Sequence, residues 1–214
     1  MFLKNIDNSE IELINTIKKL TNITCEEIYK EEWEYSEVCG GICLTRYIGK
    51  SKKIIVPSFY EGKKVVGIQA PFGKYLKKVG LKYLHIIDEK DIEEVIISEG
   101  IEYFTETTFH GFKNLKYIKI PSTINSIKIT AYTIKFQNPF FECNRELVID
   151  LNENDKYLYE NGILYDTLNK GVLYANPNLS GVILLRNDTK IIGRRAFCDS
   201  LIEEIIFPET LEEI

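Results

Sequence analysis

Five cysteines, two histidines and a few adjacent carboxylates are the residues of this chain with chemistry to offer. Cys39 and Cys43 stand in a C-x3-C arrangement, but a zinc site takes four converging sulfur or nitrogen ligands. The two histidines, His85 and His110, are both distant in sequence. Cys25, Cys143 and Cys198 follow no ligand spacing. An odd count of cysteines with no secretory leader reads as free thiols, used as small apolar residues. A nucleophilic centre needs a histidine beside serine or cysteine, and neither histidine sits in a motif such as G-x-S-x-G. Both read as loop histidines. Glu93-Glu94 and Glu203-Glu204 could serve as carboxylate pairs, but they fill the same slot of two repeated units and read as a solvated strand edge. Gly40-Gly41 reads as a turn and not as a phosphate cradle. Asn22, Asn178 and Asn187 open N-x-S/T sequons, which carry meaning only on a secretory route. The chain therefore reads as a non-enzyme, with no catalytic, cofactor or metal residues.

The elements that would position any functional side chain come from a repeat. Leu115, Ile118, Ile120 and Pro121 recur as Ile202, Ile205, Phe207 and Pro208, and Ile92, Val95 and Ile97 precede the first set by 23 residues. Ile101 and Phe104 shift by the same interval to Ile124 and Ile127. Phe109 and Phe197 punctuate the units. A unit of this length cannot bury its own apolar side, so stacked units must share a core, each triplet giving one rung of a parallel sheet. Alternation turns Ile118 and Ile120 inward and Lys119 outward. Pro121 and Pro208 follow the strand, where a missing N–H ends the ladder without loss.

Three stretches depart from the period. Residues 1–40 read as an N-terminal helical cap. There Ser9 and Glu12 form a capping box before Ile11, Ile14, Ile17 and Leu20, and Thr24 with Glu27 opens a second helical stretch. Residues 73–91 carry Leu76, Val79, Tyr83 and Ile87 at helical spacing, which suggests an inserted helix. Leu81, Leu84 and Ile86 fit the strand triplet equally, which suggests a short extra coil. Residues 152–176 hold Asn161-Gly162, a hairpin signal, and a second turn at 169–171, and read as a β-meander projecting from the edge of residues 41–214.

The chain has 214 residues, 44% hydrophobic and 28% charged, with a formal net charge of −5. Lysine and arginine are scattered among acids with no basic stripe, which excludes an electrostatic nucleic-acid binder. No apolar run approaches ~18 residues, so nothing reads as a membrane-spanning helix. The first twenty residues lack the layout of a signal peptide, so the expectation is a cytoplasmic protein, or a surface protein if a leader is missing.

Several strings resemble one family. IGKSKKIIVPSFYEGKKVVGI (48–68), NPFFECNRELVIDLNENDKYLYENGILYD (138–166) and KIIGRRAFCDSLIEEIIFPETLEEI (190–214) are similar to units of the BspA-like leucine-rich repeats, over roughly residues 40–214. Thr108 replaces the family's usual alanine, and Ser98 and Arg186 its usual proline. The resemblance implies a leucine-rich-repeat solenoid with a curved parallel sheet. It also implies a binding role without catalytic residues: an interaction scaffold of undetermined protein partner, or a secreted or cell-surface adhesin for host matrix protein or glycan.

The register then picks out an outward face. Ile55, Ile96, Lys119, Asp150, Leu184 and Ile206 form one set, and Glu94, Tyr117, Val148, Val182 and Glu204 the set two residues earlier. From these, Ile96, Tyr117, Lys119, Val148, Leu184, Glu204 and Ile206 are the candidate partner-binding residues, since contiguous exposed apolar surface marks interaction sites. The alternative is that the N-terminal helix, the meander or a second protomer covers this face. The last unit stops at Ile214 without a polar cap, which suggests self-association through an open end.

Overall fold

The computed structural model describes residues 33–69, 74–79, 82–87, 92–129, 137–151 and 153–214. The helices expected within residues 1–32 lie outside the described residues. The described part of the expected cap is strand: β1 (Trp33–Val38) pairs antiparallel with β2 (Gly41–Tyr47). Their turn is made at Gly40, with φ +88°, a conformation open to glycine because no Cβ opposes it.

β3 (Lys53–Val56) starts the first repeated unit, followed by a tight hairpin of β4 (Phe59–Tyr60) and β5 (Lys63–Ile68). The helix expected within 73–91 is replaced by strands, β6 (Lys74–Val79) and β7 (Lys82–Ile87). They pair antiparallel from Lys74↔Ile87 to Val79↔Lys82, so they are not a parallel rung either. Two six-residue runs that pair locally satisfy each other's backbone, and an apolar period over so short a run does not separate helix from strand.

The repeat proper supplies β8 (Glu94–Ile97), β9 (Tyr103–Thr105), β10 (Tyr117–Ile120), β11 (Ser126–Lys128) and β12 (Val148–Leu151). β12, β10, β8 and β3 form one parallel sheet in that order. A second sheet runs β1-β2-β5-β9-β11. Each unit therefore gives one strand to each sheet. Val95, Ile97, Ile118, Ile120, Ile54 and Val56 all point inward and are buried, as strand alternation requires.

Gly67 shows how closely the second sheet is packed. It pairs with Tyr103 on β9, and the tyrosine ring lies flat against it: a Cβ at Gly67 would stand 2.2 Å from Tyr103 Cζ. Lys128 caps the other side of the ring at 3.1 Å. Gly67→Ala is expected to cost about 1–3 kcal/mol, the usual range for overpacking. Tyr103→Ala in the same chain should recover part of it, a coupling readable by urea denaturation of the double-mutant cycle.

After β12 the pattern changes. β13 (Tyr157–Glu160), β14 (Ile163–Asp166) and β15 (Gly171–Ala175) form an antiparallel meander. The expectation of a projecting meander is corrected here, because every residue of β14 and β15 is buried. Leu164, Leu173 and Tyr174 pack into the main core, while Ile163, Tyr165, Val172 and Ala175 pack into a second core with Leu185, Ile192 and Ala196. A strand with both faces covered reads as a continuous apolar run, and ILYD and GVLYA have that character.

The meander thus stands between two halves of the repeat. Among the described strands β16 (Ser180–Leu184) pairs, in parallel, with β18 (Leu201–Ile206) alone, and β17 (Ile191–Ile192) continues the meander sheet beside β15. The parallel sheet that starts at β3 is interrupted between β12 and β16.

Candidate interaction face

Hydrogen-bonded register fixes which outward side chains are neighbours. Lys53, Glu94, Tyr117 and Val148 form one row across β3, β8, β10 and β12, and Ile55, Ile96, Lys119 and Asp150 form the next. On the other side of the interruption, Val182 stands beside Glu204 and Leu184 beside Ile206. The candidate residues therefore fall into two groups that no strand pairing joins: Ile96, Tyr117, Lys119 and Val148 in one, Leu184, Glu204 and Ile206 in the other.

The first group is a mosaic held by its own polar contacts. The Tyr117 hydroxyl donates to the Asp150 carboxylate at 2.6 Å. That hydrogen bond, with burial and the nearby charge second, pushes the Tyr117 hydroxyl up to about 12. Lys53 meets Glu94 at 2.8 Å, and Glu93 is shared by Lys52 at 3.1 Å and Lys116 at 3.4 Å. The two lysines hold the Glu93 carboxyl below its usual range. Exposed pairs of this kind add little stability, but they fix the side chains in place. Val148 at 55% and Ile55 at 47% exposure are the apolar elements of this half, with Ile96 half-buried.

The second group is more apolar and more exposed. Leu184 is 67% exposed, Val182 58% and Ile206 45%. Leu201, which triplet counting did not single out, and Phe207, which it turned inward, extend it. Leu201 follows from strand alternation alone. Phe207 does not: its counterparts Ile97 and Ile120 are buried, and its exposure depends on what stacks beside β18. Glu203 and Glu204 lie in the midst of this apolar surface. Unlike Glu93 and Glu94, they make no ion pair among the described residues. A cleft of about 460 Å³ borders the same half, lined by Glu160, Asn161, Ile163 and Tyr165 on the meander side and by residues 182–187 on the other.

The chemically suggestive residues are placed apart. His110 Nε2 lies 2.9 Å from the Asn138 carbonyl oxygen, with the ring edge-on to Phe141. The Cys143 thiol donates to the Phe109 carbonyl at 3.0 Å. Cys39 is exposed in the β1–β2 turn while Cys43 is buried on β2, where burial raises its thiol pKa. His85 lies on β7 opposite Leu76. Among the described residues no group of three or more His, Cys, Asp or Glu is arranged to hold a metal ion. No described helix is long and apolar enough to cross a membrane.

Comparison with known proteins adds a family match. A family model described as "BspA type Leucine rich repeat region" matches residues 85–161 and 165–214 in six copies, more than half of the chain. No curated protein matches. Two solved structures are similar. One is a leucine-rich repeat protein from Eubacterium ventriosum, with 13% identity, TM-score 0.29, and 81% of this chain aligned to 58% of that one. The other is the pneumococcal vaccine antigen PcpA, with 12% identity, TM-score 0.30, and 85% of this chain aligned to 64% of that one. The chain thus spans less than two thirds of the length of either.

Proposed function

Because the chain belongs to the BspA-type leucine-rich-repeat family, we propose that it is a non-enzymatic scaffold for protein–protein interaction, a solenoid whose outward strand face docks a partner protein. The observation that carries this reading is the exposed apolar set Val182, Leu184, Leu201 and Ile206 on adjacent strands. A folded chain keeps few such contiguous patches unless they meet something. Their burial in a complex is favourable at about 25 cal/mol per Å² of apolar surface. The mosaic around Tyr117 fits the rim of such a face, where rigid polar groups set orientation more than affinity.

The test is a charge inserted at the apolar centre. Leu184→Glu with Ile206→Glu is expected to leave the melting temperature within about 2 °C, because exposed sites away from the core change stability by only about ±0.5 kcal/mol. It should remove the partner from an affinity capture that wild type passes, with the captured protein identified and its binding reproduced from purified components. This pair is a cleaner probe than Tyr117→Glu, which would place a carboxylate beside Asp150 and Glu94 and so disturb the rows themselves. Capture unaffected by the double substitution removes this face from the function. Retention on an immobilised matrix protein or glycan, lost in the same variant, would favour the adhesin reading instead.

A further inference from the structure

We infer that the open edge of β16 is a strand-addition site for an extended polypeptide segment that is apolar on alternate residues and carries lysine or arginine. This deepens the scaffold reading and rests on it. Among the described residues β16 uses one of its two edges. Leu185 N donates to Ile206 O, and Leu201 N donates to Leu179 O, so the odd-numbered residues of this strand turn their backbone groups toward β18. In a parallel ladder the intervening residues, Val182 and Leu184, turn theirs the other way. Among the described residues neither makes a backbone hydrogen bond outside the β18 ladder, and no described strand pairs with β16 on that side.

That edge borders the cleft of about 460 Å³ whose far wall is Glu160, Asn161, Ile163 and Tyr165. The cleft narrows at Arg186, whose guanidinium lies over the Tyr165 ring at 5.7 Å and meets Glu160 at 3.6 Å. The meander wall therefore leaves a slot beside Val182 and Leu184 and crowds the strand beyond them. A row of unpaired N–H and C=O groups is a template for another strand. An added segment would take main-chain hydrogen bonds from Val182 and Leu184, and its alternate side chains would lie against their exposed side chains.

Charge selects the occupant. Glu160 lines the slot, Asp188 pairs with Lys170 and Arg186 beside it, and Glu203 and Glu204 lie one strand away on β18. Both cations are engaged: Lys170 with Asp188 at 2.8 Å, Arg186 with Asp188 at 3.2 Å and with Glu160 at 3.6 Å. Glu203 and Glu204 pair with no cation among the described residues, and Glu204 stands directly across from Val182 on the paired strand. A segment laid along the open edge of β16 runs beside Glu160 and, across Val182 on the exposed face, toward Glu204, so long cationic side chains such as lysine or arginine flanking its apolar residues meet net negative charge. An acidic segment would add like charge.

The experiment has two arms and uses the full chain. In the first, amide hydrogen exchange is followed at Val182 and Leu184 without added ligand. Both should exchange rapidly, while Leu185, which donates to β18, is protected. Slow exchange at both would mean that another part of the chain or a second copy already occupies the edge, and would overturn the inference. In the second arm a displayed random heptapeptide library is selected on the protein. Enriched peptides should alternate apolar residues and carry an excess of lysine and arginine, and a synthetic copy should slow exchange at Val182 and Leu184. Leu184→Pro deletes an edge N–H that the β18 ladder does not use, so it should weaken that peptide by at least about tenfold while the melting curve stays two-state. Should that variant unfold, Val182→Pro serves the same purpose. Peptides that bind equally well to the proline variant but not to Leu184→Glu with Ile206→Glu would leave the scaffold reading standing and reject the edge. No enrichment over background rejects it as well.

Discussion

Truncating Phe109 to alanine lowers the unfolding free energy by about 3–5 kcal/mol, the range for removing a fully buried phenylalanine and leaving a cavity. Phe109 is wholly buried. Its ring meets Phe104 at 5.3 Å, Phe112 at 5.9 Å and Phe140 at 5.9 Å, and Phe140 in turn meets Tyr174 at 5.5 Å. These rings come from successive units and from the meander, so the column ties the repeat to the element that interrupts it. Aromatic pairs add about 0.5–1.5 kcal/mol beyond area burial, which places this site at the upper end. For a chain of this length the melting temperature should fall by about 6–20 °C, measured by thermal and urea unfolding with two probes. Phe197, half-buried against the second core, should cost much less when truncated. A loss below about 1 kcal/mol at Phe109 would show that the column is not packed as described.

Ile118→Asp prevents folding at neutral pH. Ile118 is fully buried on β10 between Val95 and Ile149, a row that is apolar throughout. A carboxylate there is either charged and desolvated or forced to hold its proton, and either costs more than about 4 kcal/mol. The folded form of the variant would bind that proton more tightly than the unfolded chain. Its stability should therefore fall as pH rises through 4 and above, and partial folding should return toward pH 4, visible by near-ultraviolet circular dichroism. The neighbouring Lys119→Gln should change stability by no more than about 0.5 kcal/mol, since Lys119 faces outward. Reversed sensitivities would mean that the strands are slipped by one residue, which moves every side chain to the opposite face.

Much of the first half of this fold is legible in the triplets. Val95 and Ile97, then Ile118 and Ile120, alternate with outward residues over a fixed interval. A strand has only two faces, so the inward set determines the outward set. The aligned rows of Glu94, Tyr117 and Val148, and of Ile96, Lys119 and Asp150, follow from counting. The pair of Leu184 with Ile206 follows in the same way. The β6–β7 segment was not legible, because Leu76 and Val79 satisfy a helical spacing and a strand alternation alike. The pairing of Lys74 with Ile87 through Val79 with Lys82 is decided between two segments and not within either. Phe207 was misplaced for a similar reason: the triplet turns it inward, but its exposure depends on what stacks beside β18.

The order of side chains along each rung, and which of them face the core, was determined by the sequence alone, because period-two alternation is a local property of the backbone. The interruption of the parallel sheet between β12 and β16 was decided only by the tertiary structure. Asn161-Gly162 announces a hairpin but not where the hairpin packs. ILYD and GVLYA needed apolar cover on both faces, and only the space between the two halves of the repeat supplied it. That placement divides the candidate face in two and leaves one edge of β16 beside a cleft.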